Sequence, residues 1–531
     1  MIKRFHHFAI SGVALLSIAA CQTSSSPDLL PADTLINGGL LFDGTGEPGR
    51  FADLVLADGR IVYVGSDAGA RYSASQTIDA RGLVVAPGFI DPHTHAGSDL
   101  ASDDPARRAN HPYAFQGVTT VVVGNDGGGS AAIARLAANA QGDGIGTNVA
   151  YLVGLGPVRE AVIGNENRAP DAAELARMES LTRQAMCEGA WGLSAGLYYV
   201  PQNYAETSEV VALARIAAEF GGYYDTHLRD ESTYNIGVEG ALTEALTIGR
   251  EAQLPVHIAH IKALGPAVWG HSAQMIALIE AARAQGQRVT ADQYPWQASG
   301  TRISNALVPR WALEGGLEGL RERLLDEELA SRIRAGMAEG LVRRGGADKL
   351  LLTGTLGEAE AELGMTLAEI AAAGDLDPID AALAILRTGD ARVASFNMSA
   401  ADIAAFAARE WVVTGSDGST GHPRKYASFP KAYRDLVLGE AGMSMARFMR
   451  RSSGQTADII GLTDRGYLRA GMAADVLIFD PAEYAPRATY RAPRELSAGV
   501  RHLFVNGVAV ITNGASTHAL PGLPLLKETG C

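Results

Sequence analysis

Two histidines, His93 and His95, close the segment Ala86-Pro-Gly-Phe-Ile-Asp-Pro-His-Thr-His95. An apolar run from Gly82 to Phe89 leads into them. Alternate residues of a strand point to the same side, so both imidazoles face one way and can share a metal ion. Four further strand-like runs end on ligand-type side chains. Thr119-Thr-Val-Val-Val-Gly-Asn ends on Asp126, Tyr223-Tyr-Asp-Thr-His on His227, and Trp411-Val-Val-Thr-Gly-Ser-Asp on Asp417. Val256-His-Ile-Ala-His-Ile-Lys carries two histidines that strand parity separates. His260 shares a face with Ile258 and Lys262 and is expected at the site, whereas His257 faces away and is expected in the core. One such strand end is ordinary, but five in one chain point to a common centre.

Three or four nitrogen and oxygen ligands hold Zn²⁺ while leaving a position for water. The ion brings the pKa of that water from ~15.7 towards ~7 and polarises a carbonyl. Asp417 is expected to take the proton of the attacking water and return it to a leaving nitrogen. These parts suit amide hydrolysis.

The elements that must hold them alternate. Strand-like runs ending near His93, Asp126, Gly154, Leu197, His227, His260, Asp292 and Asp417 are interleaved with amphipathic helical stretches. This is the pattern of an α/β fold, a (β/α)8 TIM-like barrel over residues 87–464, with its chemistry at the C-terminal strand ends. Residues 305–392 are too long for one loop, and their Ala-, Leu- and Glu-rich periodicity predicts an inserted helical subdomain, placed as a lid. Short strands with turn signals at 33–86 and again at 465–515 predict one small β-sandwich built from both termini.

With 531 residues, 47% of them hydrophobic, the chain can bury a large core. Its net charge of −14 argues against a nucleic-acid partner, since no basic stripe is available for phosphates. Two cations precede an apolar run from Phe8 to Ala20, which is too short to span a bilayer and reads as a signal peptide over residues 1–20. Ile18-Ala-Ala-Cys21 resembles a bacterial lipobox, with lipid attached at Cys21 and residues 21–32 as a flexible tether. Gln22 after that cysteine favours, by the same resemblance, an exported lipoprotein of the outer membrane facing the periplasm. Cys187 and Cys531 do not make a disulfide framework, and no disulfide is expected.

The Pro-Gly-Phe-Ile-Asp-Pro-His-Thr-His segment resembles the first strand of the amidohydrolase superfamily of metal hydrolases. A longer series narrows the resemblance. It comprises Gly117-Val-Thr-Thr-Val-Val-Val-Gly-Asn, Asn148-Val-Ala-Tyr-Leu-Val-Gly, Gly192-Leu-Ser-Ala-Gly-Leu-Tyr-Tyr and Thr226-His-Leu-Arg-Asp-Glu. Ala259-His-Ile-Lys, Ala291-Asp-Gln-Tyr-Pro-Trp, Gly415-Ser-Asp-Gly and His422-Pro-Arg complete it. In that order, over about residues 34 to 510, they resemble the D-aminoacylase (N-acyl-D-amino-acid deacylase) family. The resemblance implies zinc-dependent hydrolysis of N-acyl-D-amino acids. It implies tight metal binding by His227 and His260, a weaker second position at His93 and His95, and Asp417 as catalytic acid/base. It further implies that Lys262, Tyr294 and Arg424 grip the substrate's α-carboxylate, and that Tyr199 assists near the scissile carbonyl. One departure is serious: where the best-known members carry a cysteine ligand, this chain has Asp126. A carboxylate ligates or bridges zinc but is harder than thiolate, which favours a more symmetric two-metal site or another divalent ion. A dipeptidase or cyclic-amide hydrolase on the same barrel is the alternative reading. The number of subunits is not legible.

Overall fold

The computed structural model describes residues 1–3, 5–7, 9 and 29–531. Cys21, the expected lipidation site, lies outside the described residues.

Eight parallel strands make the barrel: Phe89–Asp91, Val118–Val123, Asn148–Tyr151 continued by Val153–Gly154, Gly192–Gly196, Tyr223–His227, Val256–Ile258, Val289–Gln293 and Val412–Thr414. Each pairs in parallel with the next. The ring closes where the first strand meets the last: Thr94 bridges Gly418, and the Asp417 N–H donates to the His93 carbonyl at 2.9 Å. These strands are covered on both sides, so they are near-continuous apolar runs, and Val118–Val123 is buried at every position. Helices Thr207–Glu219 and Gly237–Ala252 cover the outside. They bury Val210, Leu213, Ala214 and Ala217, and Val238, Ala241, Leu242 and Ala245, at helical spacing.

Strands from both ends of the chain form one hydrogen-bonded sheet of nine strands, in which Val84–Pro87 pairs antiparallel with Val476–Phe479. The sheet curls over its own core. Ala474 N–H donates to the Gly59 carbonyl at 2.9 Å, and Ile36, Leu54, Ile61, Val476, Ile478 and Phe504 pack together inside. The expected tether is shorter than 21–32, because Leu30 already pairs in parallel with Tyr72.

The insert between the seventh and eighth barrel strands is not purely helical. It is built on a three-stranded antiparallel sheet of Ala298–Arg302, Gly389–Phe396 and Leu350–Gly357, in that spatial order. Helices Glu327–Arg343 and Pro378–Thr388 pack with that sheet on a separate core that includes Ile333, Met337, Leu352, Leu386 and Val393. Helical periodicity dominates this stretch by residue count. The strands form only by pairing with segments far away in sequence, which a local pattern does not register.

A second expectation is overturned at the C-terminus, where Cys187 and Cys531 form a disulfide. The tail returns to the barrel: Pro524–Leu525 pairs with the third barrel strand, and Trp191 Nε1 donates to the Leu525 carbonyl at 2.7 Å. Lys527 N–H donates to the Gly189 carbonyl and Thr529 Oγ1 to the Cys187 carbonyl, both at 2.9 Å. These contacts lay the last residue against the end of helix Ala172–Cys187. The two cysteines are 344 residues apart in sequence, and only the path of the tail brings them together.

Candidate active site

At the C-terminal ends of the barrel strands, His93, His95, Asp126 and Asp417 each offer a ligand atom within 4.8 Å of one another, and so do Asp126, His227 and His260. Asp126 belongs to both groups. Its Oδ1 lies 3.2 Å from His260 Nε2 and 3.5 Å from both His227 Nδ1 and His93 Nε2, while its Oδ2 lies 3.5 Å from His95 Nε2. Six expected ligands therefore converge, with the carboxylate that stands in the cysteine's place at their centre. His257 is turned away, its Nε2 3.1 Å from Asp292 Oδ2 and its Nδ1 2.8 Å from Thr290 Oγ1.

The backbone is bent to achieve this. Asp126, His260 and Asp417 have positive φ, at +55°, +35° and +47°. Left-handed backbone at a non-glycine residue costs about 1–3 kcal/mol and persists where its surroundings over-determine it. The turn carrying Asp126 is clamped from two sides: Gly127 N–H donates to Ser194 Oγ at 2.8 Å, and Gln202 Nε2 donates to the Asp126 carbonyl at 3.0 Å. Gly127 (φ +69°) has no room for a side chain, because a Cβ there would fall 1.9 Å from Gln202 Oε1.

Glu231, the last residue of the Thr226-His-Leu-Arg-Asp-Glu motif, was not singled out in the sequence. Its Oε2 lies 3.5 Å from His227 Nε2 and its Oε1 3.3 Å from His260 Nδ1. One buried carboxylate thus backs both histidines on the side away from Asp126. Its spacing of four from His227 was the available signal, but the segment is a loop, so spacing alone did not predict the contact. Lys262 donates to Glu231 Oε1 at 2.5 Å and lies 2.7 Å from His260 Nδ1. It lines the cavity already paired.

Asp417 divides its oxygens. Oδ1 lies 3.1 Å from His95 Nε2, and Oδ2 lies 2.7 Å from Arg424 Nη1. Arg424 also donates to Ser419 Oγ at 3.1 Å and lies over the Tyr294 ring at 4.9 Å. Tyr294 itself does not line the cavity. Its hydroxyl lies 3.8 Å from Met398 Sδ and its ring lies under Arg424, so it stands directly behind that guanidinium. Tyr199 does line the cavity, with its ring 4.8 Å from that of His227. Burial, with Asp126 and Glu231 nearby, holds its phenol well above the ordinary value, so it stays a hydrogen-bond donor. The cavity measures about 490 Å³, and its far wall comes from the insert: Ser299 to Arg302, Asn305, Arg344, Thr353, Arg392 and Val393.

The residues fit a divalent cation. Both ring nitrogens of His93 are buried without a hydrogen-bond partner, a costly state unless a ligand is bound. Burial opposes a charge on His93, yet Asp126, Asp292 and Asp417 outweigh it and push its pKa up to about 10. At His260, Asp417, Asp126 and Glu231 outweigh burial and Lys262 and push the value to about 9. At His227, by contrast, burial lowers the value; the carboxylates gathered around His93 and His260 are a concentration of negative charge that a metal cation would offset while leaving the nitrogens free to ligate. The imidazole and carboxylate donors suit zinc.

Comparison with known proteins agrees with this geometry. Residues 76–299 match the model of an amidohydrolase family. The chain is 34% identical to the D-aminoacylase of Alcaligenes xylosoxydans xylosoxydans, over 95% of this chain and 99% of that protein. It is 33% identical to the N-acyl-D-aspartate deacylase of the same organism, over 90% and 91% respectively. The crystal structure of N-acyl-D-glutamate deacylase from Bordetella bronchiseptica, complexed with zinc and a phosphonate mimic of the tetrahedral intermediate, superposes with a TM-score of 0.79. That match has 31% identity and covers 93% of this chain and 100% of that one. Likeness over almost the whole of each protein, together with the clustered ligands, means that this chain belongs to the D-aminoacylase family of the amidohydrolases.

Proposed function

We propose that this chain hydrolyses the amide bond of N-acyl-D-amino acids in a zinc-dependent reaction, releasing a carboxylate and a free D-amino acid. The observation that carries the reading is the placement of Asp417, which touches the histidine cluster with one oxygen and Arg424 with the other. His93, His95, Asp126, His227, His260 and Asp417 would hold the zinc, which when bound would supply Lewis acidity and a nucleophilic water near neutral pH. Asp417 takes the proton of the attacking water at its histidine-facing oxygen and passes it to the leaving nitrogen. Arg424, paired with Asp417 when no anion is present, offers the substrate's α-carboxylate a charge-assisted contact, and Lys262 adds positive charge nearby. Tyr199 donates its phenolic hydrogen towards the scissile carbonyl oxygen as charge develops there. Preference for the D-series follows from the activities named for the Alcaligenes relatives.

The test is an initial-rate comparison of matched N-acetyl-D- and N-acetyl-L-amino acids and dipeptides with the zinc-loaded chain. Turnover confined to the D-series is expected. Turnover of dipeptides or L-compounds alone would move the protein to another branch of the barrel enzymes. The second part of the proposal is location: an exported lipoprotein anchored at Cys21 in the outer membrane of a bacterial envelope. The Cys187–Cys531 disulfide supports an oxidising compartment. Replacing Cys21 by Ser should release the protein from the membrane fraction, and retention there would refute the anchor.

A further inference from the structure

A second cavity opens at the other end of the barrel from the metal-ligand cluster. It measures about 510 Å³, and its walls include Tyr223 and Val256, the first residues of the fifth and sixth strands, and Trp411, the residue before the eighth. The strands run from this face to the active-site face, and the two cavities share no lining residue.

Four arginines converge on it from three places: Arg283 at the end of helix Ser272–Ala284, Arg288 in the turn before the seventh strand, and Arg447 and Arg450 on helix Met445–Ser452. Among the described residues none of the four has a carboxylate within ion-pair distance. Arg283 donates to the Val289 carbonyl and Arg447 to the Ala408 carbonyl, which fixes two guanidinium groups without neutralising them. Arg288 and Arg450 are exposed. Arg447 stands at i, i+3 from Arg450 and at i, i+4 from the buried Arg451, spacings at which like charges on a helix repel. Burial and Arg447 together lower the pKa of Arg451, as expected where positive charge is crowded. Two acids share the lining, Glu410 and Asp458, and the Tyr467 hydroxyl donates to Asp458 at 2.7 Å. Four cations against two acids leave a local positive surplus on a chain whose net charge is −14.

Trp411 points to a ligand independently. Its side chain is 5% exposed, and its Nε1 is buried with no hydrogen-bond partner. An indole N–H only donates, so the group that satisfies it must be an acceptor. The arginines and the indole therefore ask for the same thing, an oxyanion. Guanidinium forks match phosphate oxygens in pairs, and a phosphate monoester, with a charge of about −1.5 to −2 near pH 7, balances the surplus. The cavity is large enough for a small molecule.

We propose that this cavity is a second binding site, in which Arg283, Arg288, Arg447, Arg450 and the Trp411 N–H hold a phosphate-bearing anion. It does not depend on the deacylase reading, because no residue of the active site takes part. Phosphate is offered both by soluble monoesters and by the headgroups of anionic phospholipids, and the charge surplus favours the monoester.

Trp411 is also the reporter. In the zinc-loaded chain its indole N–H resonance, assigned by its loss in Trp411→Phe, should shift saturably as glycerol 3-phosphate is added, and the binding should weaken with salt. Phosphate bound at the zinc centre lies at the other end of the barrel and is not read. Arg288→Gln/Arg450→Gln should weaken the binding by about tenfold or more, whereas Arg288→Lys/Arg450→Lys should keep much of it. Both positions are exposed, so the denaturation midpoint should not change. Glycerophosphoglycerol, the soluble headgroup of phosphatidylglycerol, tests the other source. If it saturates the shift at lower concentration than the monoester, the site belongs to a lipid headgroup and the monoester assignment fails. No shift with either compound, or a shift undiminished in the glutamine variant, overturns the site.

Discussion

The two walls of the one cavity are built on opposite principles. On the barrel wall charges are buried and matched: Asp417 with Arg424, Glu231 with Lys262, and Asp126 among four histidines. On the insert wall Arg302, Arg344 and Arg392 have no acid within ion-pair distance among the described residues, and Arg302 is exposed. The barrel side hangs on eight paired strands, so its groups are held where the chemistry needs them. The insert side hangs on a small sheet with its own core, which can change without disturbing the strand ends. Each wall therefore predicts a different kind of mutant.

The largest effect is expected at Asp417. Asp417→Asn should lower kcat by about 10²–10⁴-fold, the usual worth of a positioned proton-transfer group. Because one ligand of six is only weakened, zinc should still be retained, as metal analysis of the purified variant would report. Undiminished turnover would overturn the proton-transfer role. Glu231 tests whether the barrel wall acts through its supporting carboxylates as well as its ligands. Glu231→Gln keeps the shape but loses the charge that backs His227 and His260, and should weaken zinc binding by about 10–100-fold in a chelator competition. No change in affinity would reduce Glu231 to a partner of Lys262.

On the insert wall the expected change is smaller and of another kind. Arg302→Gln/Arg392→Gln removes two cavity-wall arginines and should change kcat/KM by about tenfold or less, chiefly through KM. A fall in kcat instead would erase the difference between the two walls. The smallest effect on turnover is expected at the far end of the barrel. Cys187→Ser should reduce stability by about 2–4 kcal/mol, seen as a lower denaturation midpoint, while kcat is unaltered. A fall in kcat with unchanged stability would mean that the tail reaches the site in a way the fold does not suggest.

How much of this was legible follows from the range of each interaction. The metal-type residues were readable because each lies at or just beyond the end of a short apolar strand; His257 within its strand turns to Asp292, while a positive-φ turn beyond that strand brings His260 to Asp126. Glu231 was hidden because it reaches His227 and His260 from a loop, where no periodicity fixes direction. Tyr294 was placed beside Arg424 by its motif, whereas the turn of its hydroxyl towards Met398 is a consequence of side-chain packing. The insert's sheet and the disulfide were missed for one reason. Both depend on pairings between segments distant in sequence, and neither leaves a local trace.

By itself, then, the sequence determined the barrel, the candidate ligands that gather at its mouth and the carboxylate among them, because period-two and helical patterns are written residue by residue. Tertiary structure alone decided that Asp126 joins the two ligand groups, that Arg424 pairs with Asp417, and that Arg302 stands opposite Arg392 on the neighbouring strand of the insert sheet. Those facts rest on closure of the barrel and on cross-strand register. Both are set by the packing of the whole chain and by no segment of it.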